Sequence, residues 1–341
     1  MSSKIYEDAV RQTWRHTEGS SAGKQVLQRE LVRYATLASS SHNTQCWKFA
    51  LDDRHISILP DLSRRCPAVD PDDHHLFVSL GCAAENLVQA GQVNGMMGDV
   101  EFDPAAGGAV RITLEPTRPL SSPLFQAIPH RQCSRVAYDG RPLSNEDLKQ
   151  LEQAGCGQGV SVLLLTEKNR IETVIEYVVQ GNTAQIQDPS FVEELKAWIR
   201  FSDDEAVRYG DGLFSRPMGN PAVPRWLGNM LLNVFLTPKK ENDKCVKNIR
   251  SSAGLAVFVS EADDKRHWVE AGRCYERFAL QATALGICNA FVNQPVEVAA
   301  IRPQFSSALG LGNRRPDLVV RFGHGPEMPR SLRRPIDSVI V

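Results

Sequence analysis

The sequence predicts an α+β protein, and three observations carry that expectation. Runs with helical apolar spacing alternate with short strand-like runs along the chain. Two strand-like runs, "WKFAL" at 47–51 and "HISILPD" at 55–61, flank the turn "DDR" as an antiparallel hairpin does. Residues 81–95, "GCAAENLVQAGQVNG", are echoed at 272–286, "GRCYERFALQATALG". Both copies open and close on glycine, and Glu85 matches Glu276 at the same spacing. A closing glycine suits a helix C-cap.

Residues 25–38 place Leu27, Leu31, Tyr34, Ala35 and Ala38 on one helical face. The loop "SSSHNTQCW" at 39–47 ends that helix, and the hairpin follows. A second, apolar helix is expected over 75–98, after "DPDDH", and a strand at 110–116, "VRITLEP". A stretch with five prolines leads to "SNEDLKQLEQAG", where Ser144 and Asp147 form a capping signature. A buried strand is expected at 160–166, "VSVLLLT", and a helix at about 169–186. Residues 190–245 mix short helical pieces with Gly and Pro and read as an insertion; long insertions in compact domains are usually lids or binding segments. A strand at 251–260, a long helix at about 264–286, a strand at 317–323 and the basic tail "GPEMPRSLRRP" complete the chain.

The chain has 341 residues, enough for one large or two ordinary domains. Its 39 basic and 40 acidic residues leave a net charge of −1, which advertises neither nucleic-acid nor bulk membrane binding. No apolar run is long enough to span a bilayer and no signal peptide is evident in the first twenty residues. The eight cysteines show no CxxC pair, so a zinc ribbon or redox dithiol lacks support and a reducing, cytoplasmic compartment is expected.

Three constellations stand out. The loop "SSSHNTQCW" concentrates small hydrogen-bonding groups, as the edge of a flat polar-rimmed ligand requires; local capping of a helix end is the alternative. In "HRQCSRVAYDG", Arg131 and Arg135 flank Cys133 and Ser134, and two forked guanidiniums can converge on a phosphate; a solvated basic loop is the alternative. "PRSLRRP", with Arg330, Arg333 and Arg334, is a second phosphate-clamp candidate, or a disordered tail. His74 and His75 invite a metal reading, but neighbours on a helix point different ways and no second ligand cluster is visible, so no metal is expected. No GxSxG hydrolase elbow occurs.

Taken together, these segments resemble the FMN-dependent nitroreductase superfamily. "SSSHNTQCWKF" is similar to its "PSSxNxQPWxF" loop, "RQCSRVAYDGRPLS" to its "RxSxRxF" segment, "ALGICNAFVNQP" to its helix end and flavin-facing loop, and "PEMPRSLRRP" to its phosphate-binding C-terminus. In ordinary members the "RxSxR" segment precedes the serine loop and the flavin sits at a homodimer interface. Here the order is inverted, which fits a dimer fused into one chain and resembles the Acg-like branch, where an inserted lid covers the flavin.

The resemblance implies a nitroreductase-like fold of two pseudo-symmetric fused halves, each an antiparallel-type sheet with flanking helices. Residues 1–120 would form the first half, supplying the serine loop. Residues 121–341 would form the phosphate-binding second half, with a lid at about 190–245. Ser39, Ser40, Ser41 and Asn43 would meet the isoalloxazine edge. Arg131, Cys133 and Arg135 would hold the ribityl-phosphate side, Arg330 and Arg333 the phosphate, while Asn293 and Gln294 would lie near N5. Three positions depart from the family pattern: Ser39 and Cys46 replace prolines, and Cys133 a hydroxyl residue. The expected activity is hydride transfer from NAD(P)H through FMN to a small electron-poor acceptor, a nitroarene or quinone, slowed by the lid. A protein that sequesters FMN without turnover is the alternative, and a phosphate-binding module without flavin a third reading. The flavin site would be complete within one chain, with further self-association left open.

Overall fold

The computed structural model describes residues 3–17 and 23–341, so part of the segment read for a signal peptide lies outside the described residues. The chain opens with α1 (Lys4–Thr13) and α2 (Lys24–Thr36), then β1 (Trp47–Leu51), β2 (His55–Pro60), α3 (His74–Val93), β3 (Met96–Asp103) and β4 (Ala109–Pro116). After α4 (Pro123–Ala127) and α5 (Asn145–Ala154) come β5 (Val160–Leu165) and α6 (Lys168–Gln187). The insertion holds α7 (Pro189–Trp198), β6 (Ile199–Arg200), α8 (Asp203–Tyr209), β7 (Leu213–Phe214), α9 (Arg225–Phe235) and α10 (Pro238–Arg250). The second half resumes with β8 (Gly254–Ser260), α11 (Lys265–Ala284), β9 (Cys288–Phe291), α12 (Gln294–Glu297), α13 (Arg302–Ala308) and β10 (Arg315–Gly323).

Two four-stranded antiparallel sheets result, ordered β1-β2-β4-β3 and β5-β8-β10-β9. The orders are the same once β5, β8, β9 and β10 are matched to β1, β2, β3 and β4. In each half the long helix, α3 or α11, stands between the second and third strands. The expected α+β class with two pseudo-symmetric halves is therefore what the chain adopts.

The echoed glycines explain how the halves meet. A Cβ on Gly81 would lie 1.9 Å from the Val269 carbonyl oxygen and 3.1 Å from Arg273 N. A Cβ on Gly272 would lie 1.9 Å from the Val78 oxygen and 3.1 Å from Cys82 N. The contacts are reciprocal, as a local two-fold axis demands: α3 and α11 cross backbone to backbone at these two residues. Eighteen of the twenty residues of α3 are buried, which is why its sequence is apolar nearly all round. The closing glycines, Gly95 and Gly286, both adopt positive φ, 72° and 69°, where a side chain would be strained.

Several expectations need correction. The helix expected to reach residue 98 ends at Val93, because Asn94 and Gly95 turn the chain into β3. That strand, "MMGDVEFD", went unread: its pattern alternates around polar residues at a half-exposed edge. Where the first half has the short turn between β1 and β2, the second carries everything from 166 to 253. The insertion is thus longer than 190–245, and α10 runs through its expected end to pack on α6. The C-terminus crosses to the first half, where Phe49 N donates to Val339 O at 2.7 Å and Val341 N to Phe49 O at 2.9 Å, covering the outer edge of β1.

Candidate functional site

The serine loop leaves α2 and folds into a tight turn. His42, Asn43 and Gln45 have φ of 48°, 53° and 53°, three left-handed residues in four, at about 1–2 kcal/mol each. Strain of this kind collects where a site needs it. Tertiary bonds hold the turn: Gln45 N donates to Ser40 Oγ at 3.0 Å, Ser41 N to Ser79 Oγ at 3.2 Å, and Arg334 N to Gln45 Oε1 at 2.8 Å.

Below the loop lies a two-lobed cavity. The wide lobe, about 240 Å³, is walled by Val78 and Cys82 of α3, Phe291, Leu318 and leucines of the insertion, with a polar rim that includes Ser39, Ser40, Ser41, Asn293 and Gln294. The narrow lobe, about 80 Å³, is lined by Asn43, Arg131, Cys133, Arg330 and Arg333 among others. Ser39, Ser40, Arg135, Leu213 and Phe291 belong to both lobes, so the two adjoin. The eleven residues that the resemblance assigns to the flavin each line one lobe or the other; Arg334, the third arginine of the clamp candidate, lines neither and donates to the carbonyls of Gln45 and Trp47. Asn43, expected at the ring edge, lines the narrow lobe, and its amide nitrogen donates to Gly212 O and Leu332 O.

The narrow lobe is electropositive. Arg131 Nε approaches Glu276 Oε1 at 3.1 Å, yet neither atom has a hydrogen-bond partner in good alignment. Burial pushes the Glu276 carboxyl up, against the pull of Arg131. Arg333 donates to the carbonyls of Thr36, Leu37 and Ala38 and so caps the end of α2. Burial, then the charge of Arg131, lowers its pKa to about 9, and the same two causes lower that of Arg330. Arg330 donates to the carbonyls of Pro129 and His130 and lies 5.1 Å from the Trp14 ring centroid. The side chain of Arg135, where the lobes join, makes no hydrogen bond or ion pair among the described residues. Three crowded guanidiniums against one buried carboxylate form a site short of negative charge.

The wide lobe is also lined by titratable groups outside the set expected at the flavin. His42 lies in the strained loop; its Nδ1 is buried without a partner and burial lowers its pKa to about 4. Glu297, raised by burial, accepts from Gln185 Nε2 at 2.7 Å. His75 ends a buried chain of polar groups. Ser260 Oγ donates to Asp317 Oδ2 at 2.5 Å, His74 Nε2 lies 2.9 Å from Asp317 Oδ1, and the two Nδ1 atoms of His74 and His75 are 3.3 Å apart. His75 Nε2 lies 3.3 Å from Asn293 Nδ2, and Asn293 Oδ1 accepts from Val319 N at 2.9 Å. Burial raises the Asp317 pKa to about 7.

This arrangement overturns the reason given against a metal. His74 and His75 do meet, and Asp70 joins them, with one ligand atom of each within 4.8 Å of the others. Hydrogen bonding nevertheless satisfies the group. Asn293 must present its NH₂ to His75 Nε2, because its oxygen is taken by Val319 N. His75 Nε2 is then an acceptor and its Nδ1 carries the proton, directed at His74 and Asp70. A metal at Nδ1 would leave two donors facing each other.

Side chains of the insertion form part of the wall of the wide lobe. Phe191, Leu195, Leu213 and Leu236 line the wide lobe. Five other aromatics of the insertion lie elsewhere: Phe214 is buried against Tyr6, Phe201 lines a separate pocket, Trp198 lies under Arg64 and Arg200, and Tyr209 and Trp226 are exposed. The fastening is polar. Buried Asp211 takes Arg200 at 2.7 Å and Arg64 on its other oxygen. Gly212 N donates to Asn43 O at 3.1 Å and Gln45 Nε2 to Gly210 O at 2.8 Å.

A second groove, about 640 Å³, occupies the two-fold counterpart of the wide lobe. Arg266, Val269, Glu270 and Arg273 of α11 stand there as His75, Val78, Ser79 and Cys82 of α3 stand in the first. Gln158 and Gly159, in the short turn before β5, replace the serine loop before β1, and no counterpart of the Arg330–Arg333 tail lines it.

No family model matches the chain. Among curated proteins it is 24% identical over 327 residues to "Putative NAD(P)H nitroreductase Rv3131" of Mycobacterium tuberculosis, covering 92% of this chain and 90% of the relative. It is 20% identical over 322 residues to "Putative NAD(P)H nitroreductase acg" of the same organism, covering 91% and 94%. Solved structures with weaker similarity include the FMN-dependent nitroreductase NfnB from Mycobacterium smegmatis in complex with NADPH, at TM-score 0.42 and 13% identity, over 63% of this chain and 96% of that one. A nitroreductase with bound FMN from Bacteroides fragilis gives TM-score 0.39 at 15% identity, over 63% and 94%. Over nine-tenths of its length the chain is thus similar to proteins named "Putative NAD(P)H nitroreductase".

Proposed function

We propose that the protein is an NAD(P)H-dependent flavin oxidoreductase of the nitroreductase type, holding one FMN in the two-lobed cavity. The observation that carries this is the pairing of a flat, polar-rimmed lobe with an adjoining lobe of crowded guanidiniums. Orphaned polar atoms at the cavity point the same way: Ser39 Oγ and Gln294 Oε1 are buried without partners and line the wide lobe. Arg135 would bridge the two parts of the ligand, while Arg131 and Arg330 supply charge for the phosphate. FMN, when bound, supplies hydride transfer between a nicotinamide donor and an electron-poor acceptor such as a nitroarene or quinone. The chain's own residues orient the ring by its edge and exclude water through the leucines of the insertion.

In this reading residues 1–120 and 121–341 are a dimer fused into one chain, and the counterpart groove is a second site that lacks the serine loop and the C-terminal arginine tail. The purified protein is expected to be yellow, with about one FMN per chain by absorbance after denaturation. A colourless protein that takes up no added FMN sinks the proposal and favours a flavin-free phosphate-binding module.

The fastened insertion supports a second reading, sequestration of FMN without turnover. Asp211→Asn, which removes the charge between Arg64 and Arg200, is expected to speed bleaching of the flavin by NADPH, and shortening 203–235 to speed it further. Fast bleaching of the intact protein, unchanged in both variants, would leave an open-site nitroreductase instead.

A further inference from the structure

One surface of the insertion is unaccounted for. Helix α9 exposes Trp226 (70%), Met230 (49%), Val234 (60%) and Phe235 (50%). The first three are spaced four residues apart and form one stripe about 12 Å long at 1.5 Å per residue. The other face of α9 packs inward through Gly228, where a Cβ would lie 2.3 Å from the Phe201 ring. The exposed stripe is therefore the side that has no room to turn in.

The surroundings are basic. Residues 225–250 carry six Lys or Arg against two acids, in a chain whose net charge is −1. Lys240 Nζ sits 4.0 Å from the centroid of the Phe235 ring, Lys244 lines the apolar pocket beneath α9, and exposed Lys239 pairs with Asp243 at 2.9 Å. The chain-wide balance that argued against membranes hides this local excess.

We infer that α9 and the start of α10 dock on an anionic lipid surface, Trp226, Met230, Val234 and Phe235 entering the interface and Lys239, Lys240 and Lys244 meeting the headgroups. An amphipathic helix with Trp and Phe on one face and lysines beside it lies in the plane of such an interface. A second copy related by a two-fold axis would set this basic rim against itself, whereas anionic lipid complements both rim and stripe. No helix among the described residues is long and apolar enough to cross a membrane, so the contact is peripheral. Leu236 and Glu241 line both the pocket under α9 and the wide lobe. If the flavin reading holds, docking puts the mouth of the cavity at the lipid and favours lipophilic acceptors of the quinone type.

Sedimentation with vesicles tests the docking itself, with and without FMN. Wild type is expected to bind vesicles of equal parts phosphatidylglycerol and phosphatidylcholine, to ignore pure phosphatidylcholine, and to detach at about 1 M salt, where the screening length is about 3 Å. Trp226→Ser/Val234→Ser and, separately, Lys239→Glu/Lys240→Glu should each lower partitioning about tenfold. All four side chains are exposed, so both variants should melt as wild type does. Quenching of tryptophan emission by brominated lipid should fall in Trp226→Phe. No binding to anionic vesicles, or binding that neither variant weakens, overturns the inference. So does a wild-type dimer, seen by light scattering, that both variants dissociate. A colourless protein that still binds vesicles sinks the flavin reading alone.

Discussion

Arg330→Ala is expected to weaken FMN retention between about tenfold and a hundredfold, against about fivefold for Ser39→Ala. A hydrogen bond to a charged group contributes about 1.5–3 kcal/mol and a neutral edge contact about 1. The structure selects these positions. Ser40 Oγ also accepts from Gln45 N, so its loss would disturb the strained turn, whereas Ser39 Oγ makes no well-aligned hydrogen bond and its loss is the milder change. Arg131→Ala would leave the buried Glu276 without its closest cation and cost about 3–5 kcal/mol of stability, which masks any effect on binding. Arg330 bonds only two loop carbonyls and can be removed more cheaply. Arg330→Lys should fall between, keeping the charge but not the fork. Fluorescence titration of FMN, with a melt of each variant, measures the order. If Ser39→Ala releases flavin before Arg330→Ala does, the narrow lobe is not the phosphate site.

Gly272→Ala, or Gly81→Ala, should destabilise the fold by about 3 kcal/mol or more, the upper end of overpacking costs. The methyl would meet a backbone oxygen at 1.9 Å, and a helix backbone cannot step aside as a side chain can. Helices α3 and α11 would have to separate, and both carry the main core that spans the two sheets. Gly286→Ala is the control. Its φ is 69°, so it should cost about 1 kcal/mol from backbone strain, but nothing lies within 4 Å of the new methyl. Thermal melts compare the two; equal melting of Gly272→Ala and Gly286→Ala would show that the crossing is not tightly packed.

The residues that point to a ligand were legible because their chemistry is local. Three serines before His42, and arginines flanking Cys133, are compositions that a solvated turn does not require. The echo at 81–95 and 272–286 was legible for a geometric reason: only glycine permits helices to cross backbone to backbone, so both copies keep it. The strand β3 and the cavity-facing Glu297 were not legible. An edge strand alternating around Met and Glu looks like the end of the preceding helix, and a lone glutamate after "NQPV" carries no periodic signal.

The sequence by itself determined the α+β class, most element positions, and the serine and arginine clusters that line part of the cavity, since hydrophobic period, glycine placement and clustered donors are properties of neighbours along the chain. Only the tertiary structure decided what those residues are free to do. It committed Arg333 to the end of α2 and Asn43 to the insertion, left Arg135 unengaged, and brought His74, His75, Asp70 and Asp317 together from the start of α3 and from β10. It also turned Trp198, Phe201, Tyr209, Phe214 and Trp226 of the insertion away from the cavity and put Phe191 and three leucines there. A side chain's availability depends on carbonyls and charges that reach it from residues far away in sequence, and no local pattern records them.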